Sequence, residues 1–279
     1  MMEDKRAPPR SFGRNPCFGL RGGRRKGQRK MQYYVMTDLH GFYTLFRQAL
    51  QEAGYEEDPG EKRILLLGDL FDRGPENAEM QEGILRLMEE DRVILLRGNH
   101  EDLFEELVTR DRGRPLRHHV HNGTYDTLQT LTGIRADYSW DGNMLLAKAG
   151  RETPFYTQII PAMLDYFETK NYIFTHAWIP CNYSDGKVVY DPHWREADAS
   201  AWREARWINP MEAAKTARCP GKSVVCGHFH TSYGHSRMEG IGTEFGPDAD
   251  FSPYQAPGVL ALDACTAYSR RMNCVVLED

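Results

Sequence analysis

The sequence predicts a layered α/β protein, and two observations carry that prediction. Short, wholly apolar runs recur along the chain, each closed by Gly, Asp, Asn, Thr or His. Between the early runs the apolar residues change to helical spacing. Runs this short and this apolar fit strands buried on both faces, and strand–helix alternation stacks helices on the sheet they form.

In chain order, Tyr33-Tyr34-Val35-Met36 reads as the first strand and runs into Asp38 and His40. Phe42, Leu45, Phe46, Ala49, Leu50 and Ala53 then share one face of a helix. Ile64-Leu65-Leu66-Leu67 is a second strand ending in Gly68-Asp69, and Ile84, Leu85, Leu87 and Met88 mark a second helix. Val93-Ile94-Leu95-Leu96 leads to Gly98-Asn99-His100-Glu101, followed by a helix marked by Leu103, Phe104, Leu107 and Val108. Residues 110–170 have the least legible period and are expected to hold a small helical insertion. Tyr172-Ile173-Phe174 leads to Thr175-His176, and Val224-Val225-Cys226 to Gly227-His228-Phe229-His230. Val259-Leu260-Ala261-Leu262 and Cys274-Val275-Val276-Leu277 read as two closing strands joined by a turn.

Composition separates a tail from a body. Residues 1–30 carry ten Lys/Arg against two Asp/Glu, while the remainder carries 25 against 38. The tail is rich in Arg and Gly and has no apolar face, so it is expected to be disordered, with one domain spanning 31–279. An over-extended start, with Met31 as the natural first residue, is the favoured reading. A nucleic-acid-binding arm is the alternative. Six scattered cysteines without a Cys-x-x-Cys pair suit free thiols in a reducing cytoplasm, and no apolar run reaches the length of a membrane span. The oligomeric state is not legible.

The strand ends collect Asp38, His40, Asp69, Asp72, Arg73, Asn99, His100, His176, His228 and His230. Side by side, these ends would meet on one sheet edge. Mixed carboxylate, imidazole and amide-oxygen donors suit Mn, with Fe or Zn as alternatives, better than Mg or Ca. The donors are too many for one ion, so two ions sharing a bridging carboxylate is the economical reading.

Asp38-x-His40-Gly41, Gly68-Asp69-x-x-Asp72-Arg73-Gly74, Gly98-Asn99-His100-Glu101, Thr175-His176-Ala177 and Gly227-His228-x-His230 together resemble the ordered signature of calcineurin-like metallophosphoesterases. Within that superfamily they look like the phosphoprotein phosphatase branch, which includes bacterial Ser/Thr phosphatases and symmetrical diadenosine tetraphosphate hydrolases. The resemblance covers residues 34 to about 277 and implies a four-layer αββα sandwich. It implies that Asp38, His40 and Asp69 hold one metal, that Asp69 bridges to a second, and that Asn99, His176 and His228 complete the second. His230 would be a fourth ligand of the first. The implied reaction is direct attack of a metal-bridging hydroxide on a phosphate monoester or nucleotide phosphoanhydride, with a phosphoprotein as the alternative substrate. Arg73 would bind the phosphoryl oxygens, and His100 would protonate the leaving group with Asp72 holding it charged. Arg206, directly before Trp207, is the expected second phosphate arginine. A metal-binding scaffold without turnover is the reading from another class, and Asp72, Arg73 and His100 argue against it.

Three further features are singled out. Trp178, two residues after His176, is expected either to stack on a nucleobase at the rim of the cleft or to pack under a loop. Asn122-Gly123-Thr124 with Thr127 resembles an Asn-Gly-Gly-x-x-Thr stretch of bacterial relatives, with Thr124 in place of a glycine. His118-His119-Val120-His121 suggests an extra zinc site, but with no companion Cys or carboxylate at zinc spacing it is expected to be a polar loop.

Overall fold

The computed structural model describes residues 30–110 and 115–279. The expectation for the basic tail falls on residues 1–29, outside the described residues. The first half of the fold runs β1 (Gln32–Met36), α1 (Tyr43–Glu52), β2 (Lys62–Leu66), α2 (Asn77–Glu89), β3 (Val93–Leu95) and α3 (Asn99–Thr109). A helical stretch follows: α4 (Arg117–His121), α5 (Thr124–Thr132), α6 (Trp140–Gly150), a π-helical turn over Phe155–Ile159 and α7 (Ile160–Ala162). The second half holds β4 (Tyr166–Glu168), β5 (Tyr172–Thr175), β6 (Cys181–Ser184), β7 (Lys187–Tyr190), α8 (Ala199–Ala205), α9 (Pro210–Thr216) and β8 (Ser223–Cys226). It closes with α10 (Thr231–Tyr233), β9 (Tyr254–Ala256), β10 (Val259–Ala261), α11 (Thr266–Ser269) and β11 (Val275–Glu278).

Two mixed sheets result. One has the order β11-β1-β2-β3, the other β4-β5-β8-β10-β9. In each, the inner strands are parallel, and β11, β4 and β9 join antiparallel at edges. The period-2 alternation of side chains explains why these strands are apolar throughout. Val35 and Leu65 point between the sheets with Phe174 and Val225, while Tyr34, Met36, Ile64 and Leu66 point outwards onto Phe46, Leu50, Met80, Ile84 and Phe104 of the helices. On the far side Ile173, Val224 and Cys226 meet Trp202, Met211 and Ala214 of α8 and α9. Each fully buried aliphatic contributes about 1.5–3 kcal/mol. The four layers are therefore helix, sheet, sheet, helix, and the expected αββα sandwich stands. The helices of the 117–162 stretch bury Tyr125, Leu128, Leu146 and Phe155 against the first helical layer, so the expected insertion is helical too.

Two elements differ from the sequence reading. The closing strands do not form a hairpin: β10 pairs with β8 and β9, whereas β11 crosses to the other sheet and pairs with β1. β10 sits between β8 and β9 in one sheet and β11 forms an edge of the other, and that choice is tertiary. The β6–β7 hairpin went unread, although Asp185-Gly186 at its turn, both with left-handed backbone, is a strong local hairpin signal.

Register sets the site. Met36 pairs with Leu66 and Leu66 with Leu95. The segments following these strands therefore leave the sheet at one level, with Asp38, Asp69 and Asn99 on them.

Candidate metal centre

The backbone of the site is strained where it delivers donors. Asp38, His40, Asp69, Asp72, Arg73 and His228 all have left-handed φ, between 47° and 76°. Such φ values are uncommon outside glycine, and a cluster of them marks a place where surrounding structure holds the chain against its preference. Glycine is required where segments press together: a Cβ on Gly98 would collide with the Asp69 carboxylate, and one on Gly227 with that of Asp38.

Asp69 lies at the centre. Its Oδ2 is 3.9 Å from His40 Nε2 and 3.8 Å from His100 Nε2, while Oδ1 is 3.5 Å from His176 Nε2. Two donor groups, His40–Asp69–His100 and Asp69–His176–His228, share this residue, each with its atoms within 4.8 Å of one another. Asn99 Oδ1 lies 2.8 Å from His176 Nε2 and 2.9 Å from His228 Nδ1. Asp38 Oδ1 is 4.0 Å from His40 Nε2, and its Oδ2 is fixed by the Thr37 hydroxyl and the His228 amide.

The ring tautomers aim lone pairs inwards. His40 Nδ1 donates to the Phe71 carbonyl and His176 Nδ1 to that of Leu67, which leaves each Nε2 lone pair turned to the centre. The Trp207 backbone carbonyl faces His228, whose Nδ1 turns to Asn99 Oδ1. Burial holds the His40, His100 and His228 imidazoles well below their usual range; the next cause is Arg73 for the first two and His176 for the third. Burial, then Asp38 and Glu101, pushes the Asp69 carboxyl well above its usual range. Neutral imidazoles and crowded carboxylates are what a divalent cation accepts, because its charge offsets the desolvation that penalises them. The donor set fits two divalent transition-metal ions, with Asp38, His40 and Asp69 on one side and Asp69, Asn99, His176 and His228 on the other.

Around the donors stand groups suited to turnover. Arg73 reaches His40 Nε2 at 2.8 Å and His100 Nε2 at 3.0 Å, so its guanidinium lies over the centre. His100 Nδ1 is 2.6 Å from Asp72 Oδ2, which also accepts the Thr124 hydroxyl at 2.7 Å. That contact accounts for Thr124 where a glycine was expected. Gly123, with φ of 87°, lets the same segment approach the Arg73 backbone. Burial pushes Asp72 up to about 6, against nearby threonine hydroxyls and Arg73. The expectation that Asp72 keeps His100 charged is corrected: with Arg73 donating to Nε2, His100 is neutral and keeps its proton on Nδ1.

Two further expectations fail, for Arg206 and His230, and of the two alternatives for Trp178 packing stands. Arg206 is buried and its guanidinium is held by two carboxylates: Nε and Nη2 bind Asp102 at 2.8 and 3.1 Å, and Nη1 binds Asp165 at 2.7 Å. An arginine so buried and so paired joins α8 to α3 and is held by two carboxylates rather than presented to the metal centre. His230 turns its Nε2 to Glu244 Oε1 at 3.0 Å, while Arg237 holds Oε2 of the same carboxylate, and so stays outside both donor groups. Trp178 is completely buried among Trp194, Trp202 and Met211, which excludes the rim position.

Sequence reasoning missed the braces. Glu101 accepts the amides of Asp69, Leu70 and Gly98 at 2.7–2.9 Å, fixing the turn that presents Asp69. Asp263 is buried next to Asp38 and pushed well above its usual range by burial first and Asp38 second. Trp207 is half exposed, its ring centroid 5.7 Å from that of His228. A carboxylate directly after Gly-Asn-His was the one available signal, for Glu101.

Fold and site together define a metal-centred hydrolase architecture. The chain belongs to the calcineurin-like phosphoesterase family, whose family model matches residues 31–232. It is similar to "Serine/threonine-protein phosphatase 1" of Salmonella typhimurium, 34% identical over 70 residues, which are 25% of this chain and 30% of that protein. It is also similar to "Bis(5'-nucleosyl)-tetraphosphatase PrpE [asymmetrical]" of Bacillus subtilis, 29% identical over 132 residues, 45% of this chain and 52% of that protein. The matches thus span about a third to a half of these relatives. Among solved structures, a cold-active protein tyrosine phosphatase superposes with a TM-score of 0.51 at 15% identity, over 89% of this chain and 75% of that one, a likeness of fold.

Proposed function

We propose that this protein hydrolyses phosphate monoesters or nucleotide phosphoanhydrides at a dinuclear centre, by direct attack of water-derived hydroxide on phosphorus and with no phosphoenzyme. The observation that carries the reading is Asp69, whose two oxygens face two separate groups of buried imidazoles. Two divalent ions, Mn by preference, would supply Lewis-acid charge and a water acidic enough to attack at neutral pH. Asp38, His40 and Asp69 would hold one, and Asp69, Asn99, His176 and His228 the other.

The chain's own groups do the rest. Arg73 places its planar donors on the phosphoryl oxygens, where negative charge spreads in the transition state. Doing so takes its N–H groups from His100 Nε2 and brings phosphate charge to the ring. Both changes favour protonation of Nε2, which then delivers that proton to the leaving oxygen. Asp72, held by Thr124, orients the imidazole throughout. Residues 31–279 act as one catalytic domain. The five unpaired cysteines among the described residues support a cytoplasmic setting.

The half-exposed Trp207 beside His228 favours a substrate with a planar base over a protein substrate, since an indole there gives a nucleobase a stacking face. The Salmonella relative's name supports the second reading, a protein Ser/Thr phosphatase. Chelator-stripped protein given Mn decides between them on p-nitrophenyl phosphate, its bis ester, a phosphoserine peptide and diadenosine tetraphosphate. Preference for the dinucleotide supports the first reading, and preference for the peptide replaces it with the second. No hydrolysis of any substrate by metal-loaded protein overturns both and leaves a scaffold.

A further inference from the structure

A second cluster of metal-type side chains lies outside the centre. Glu106 is on α3, and His118 and His119 are on the short α4 packed beside it. Glu106 Oε2 is 3.7 Å from His118 Nε2 and 3.8 Å from His119 Nε2, and the three atoms lie within 4.8 Å of one another. The expected polar loop at 118–121 is thus a helical turn with His119 fully buried, and the missing carboxylate comes from another helix.

We propose that Glu106, His118 and His119 form a third divalent-metal site, of zinc type, which fastens α4 to α3. The separations are too long for hydrogen bonds. They lie only a few tenths of an ångström above the roughly 3.3 Å edge of a tetrahedron whose metal–ligand distances are about 2.0–2.1 Å. Independently, both Nε2 atoms are buried and have no hydrogen-bond partner among the described residues. A buried ring nitrogen aimed at nothing is rare in folded proteins, and here two converge on one carboxylate oxygen. Protonating both rings would set like charges on imidazoles whose centroids are 4.1 Å apart. Burial, then His118, already holds His119 down to about 4, in the neutral form that binds metal. Arg110 occupies Glu106 Oε1 at 2.8 Å and leaves Oε2 for the ion.

One contact opposes this. The Leu116 amide donates to His119 Nδ1 at 3.0 Å, whereas a neutral imidazole ligating through Nε2 carries its hydrogen on Nδ1. Ligation must release that amide, and Leu116, the exposed residue that caps the start of α4, can pass its donor to water. Three protein donors leave a fourth position for water. The consequence is mechanical: α4 leads directly into Asn122 and Thr124, which touch Arg73 and Asp72.

The test counts zinc. Full-length wild type, His118→Ala and Glu106→Gln are stripped with chelator, dialysed against zinc chloride and assayed for bound metal, with circular dichroism as the check on folding. The expected result is one zinc per chain more in wild type than in either variant, and a larger rise of wild-type Tm on zinc addition. That difference supports the site whatever the total, so a wild-type count of one against none in the variants would uphold it while sinking the dinuclear reading. Equal zinc counts in wild type and a folded variant overturn it. Should His118→Ala fail to fold, the near-isosteric Glu106→Gln decides alone.

Discussion

The strand-end donors and the segment from Trp178 to Trp207 approach the same centre, yet they are built on different terms. Asp38, Asp69 and Asn99 follow parallel strands in fixed register, so their convergence is dictated by the backbone. Trp178, Arg206 and Trp207 belong to loops and helix ends, where packing of a second layer decides which side chain is swallowed and which faces the cleft. Sequence proximity to a ligand locates a residue in the first region only. Trp178 stands two residues from His176 and is buried; Trp207 is distant in sequence from every donor and has its carbonyl on His228.

The largest expected effect tests the first region at its centre. Asp69→Asn should abolish hydrolysis and lower bound metal, because one neutral amide replaces the charge facing both donor groups. Metal analysis beside activity checks this. Full loading with normal turnover would remove Asp69 from the bridge. Next, His100→Asn should retain metal while slowing turnover on the order of 10²–10⁴-fold, the usual range for a general acid. The loss should shrink for p-nitrophenyl phosphate, whose leaving group needs little protonation. An equal loss on p-nitrophenyl phosphate and on a poor leaving group would rule out proton donation by His100.

The two regions also differ in how far the sequence disclosed them. Most strands and the three early helices were legible, because period-2 and period-3.6 patterns are local. So was the gathering of Asp38, His40, Asp69, Asn99, His176 and His228, since each follows its strand by one to four residues. What was hidden depends on partners far along the chain. Arg206 reads as a phosphate arginine until Asp102 and Asp165 are seen to hold it. His230 reads as a ligand until Glu244 takes its Nε2. β10 and β11 read as a hairpin because nothing local reveals that each completes a different sheet.

Arg206 gives a third, intermediate test. Both it and Asp102 are about 95% buried, and removing one partner of a buried pair costs about 3–5 kcal/mol because the other charge is stranded. Arg206→Ala should therefore lower Tm substantially, with metal content maintained in the folded fraction. If KM for every phosphate substrate rises instead while Tm is unchanged, the guanidinium binds substrate after all and the buried ion pair is not its role.

The smallest effect falls on Trp207 and separates the two tryptophans. Trp178→Ala empties a packed core site and should destabilise by about 3–5 kcal/mol, damaging every activity together. Trp207 is half exposed, so Trp207→Ala leaves no comparable cavity and Tm should move little. Base–aromatic stacking contributes about 1–3 kcal/mol, which corresponds to a roughly 5- to 150-fold rise in KM for diadenosine tetraphosphate. Tripolyphosphate, which has no ring, should be hydrolysed with unchanged KM, and Trp207→Phe should recover much of the loss because a smaller π-face remains. The His228 bond to the Trp207 carbonyl is made by backbone and survives either change, so metal content should hold. A parallel rise in KM for tripolyphosphate would show the indole shaping the metal centre rather than a base site. Unchanged KM for both would leave Trp207 a surface residue, and the preference for a nucleotide over a protein substrate would lose its support.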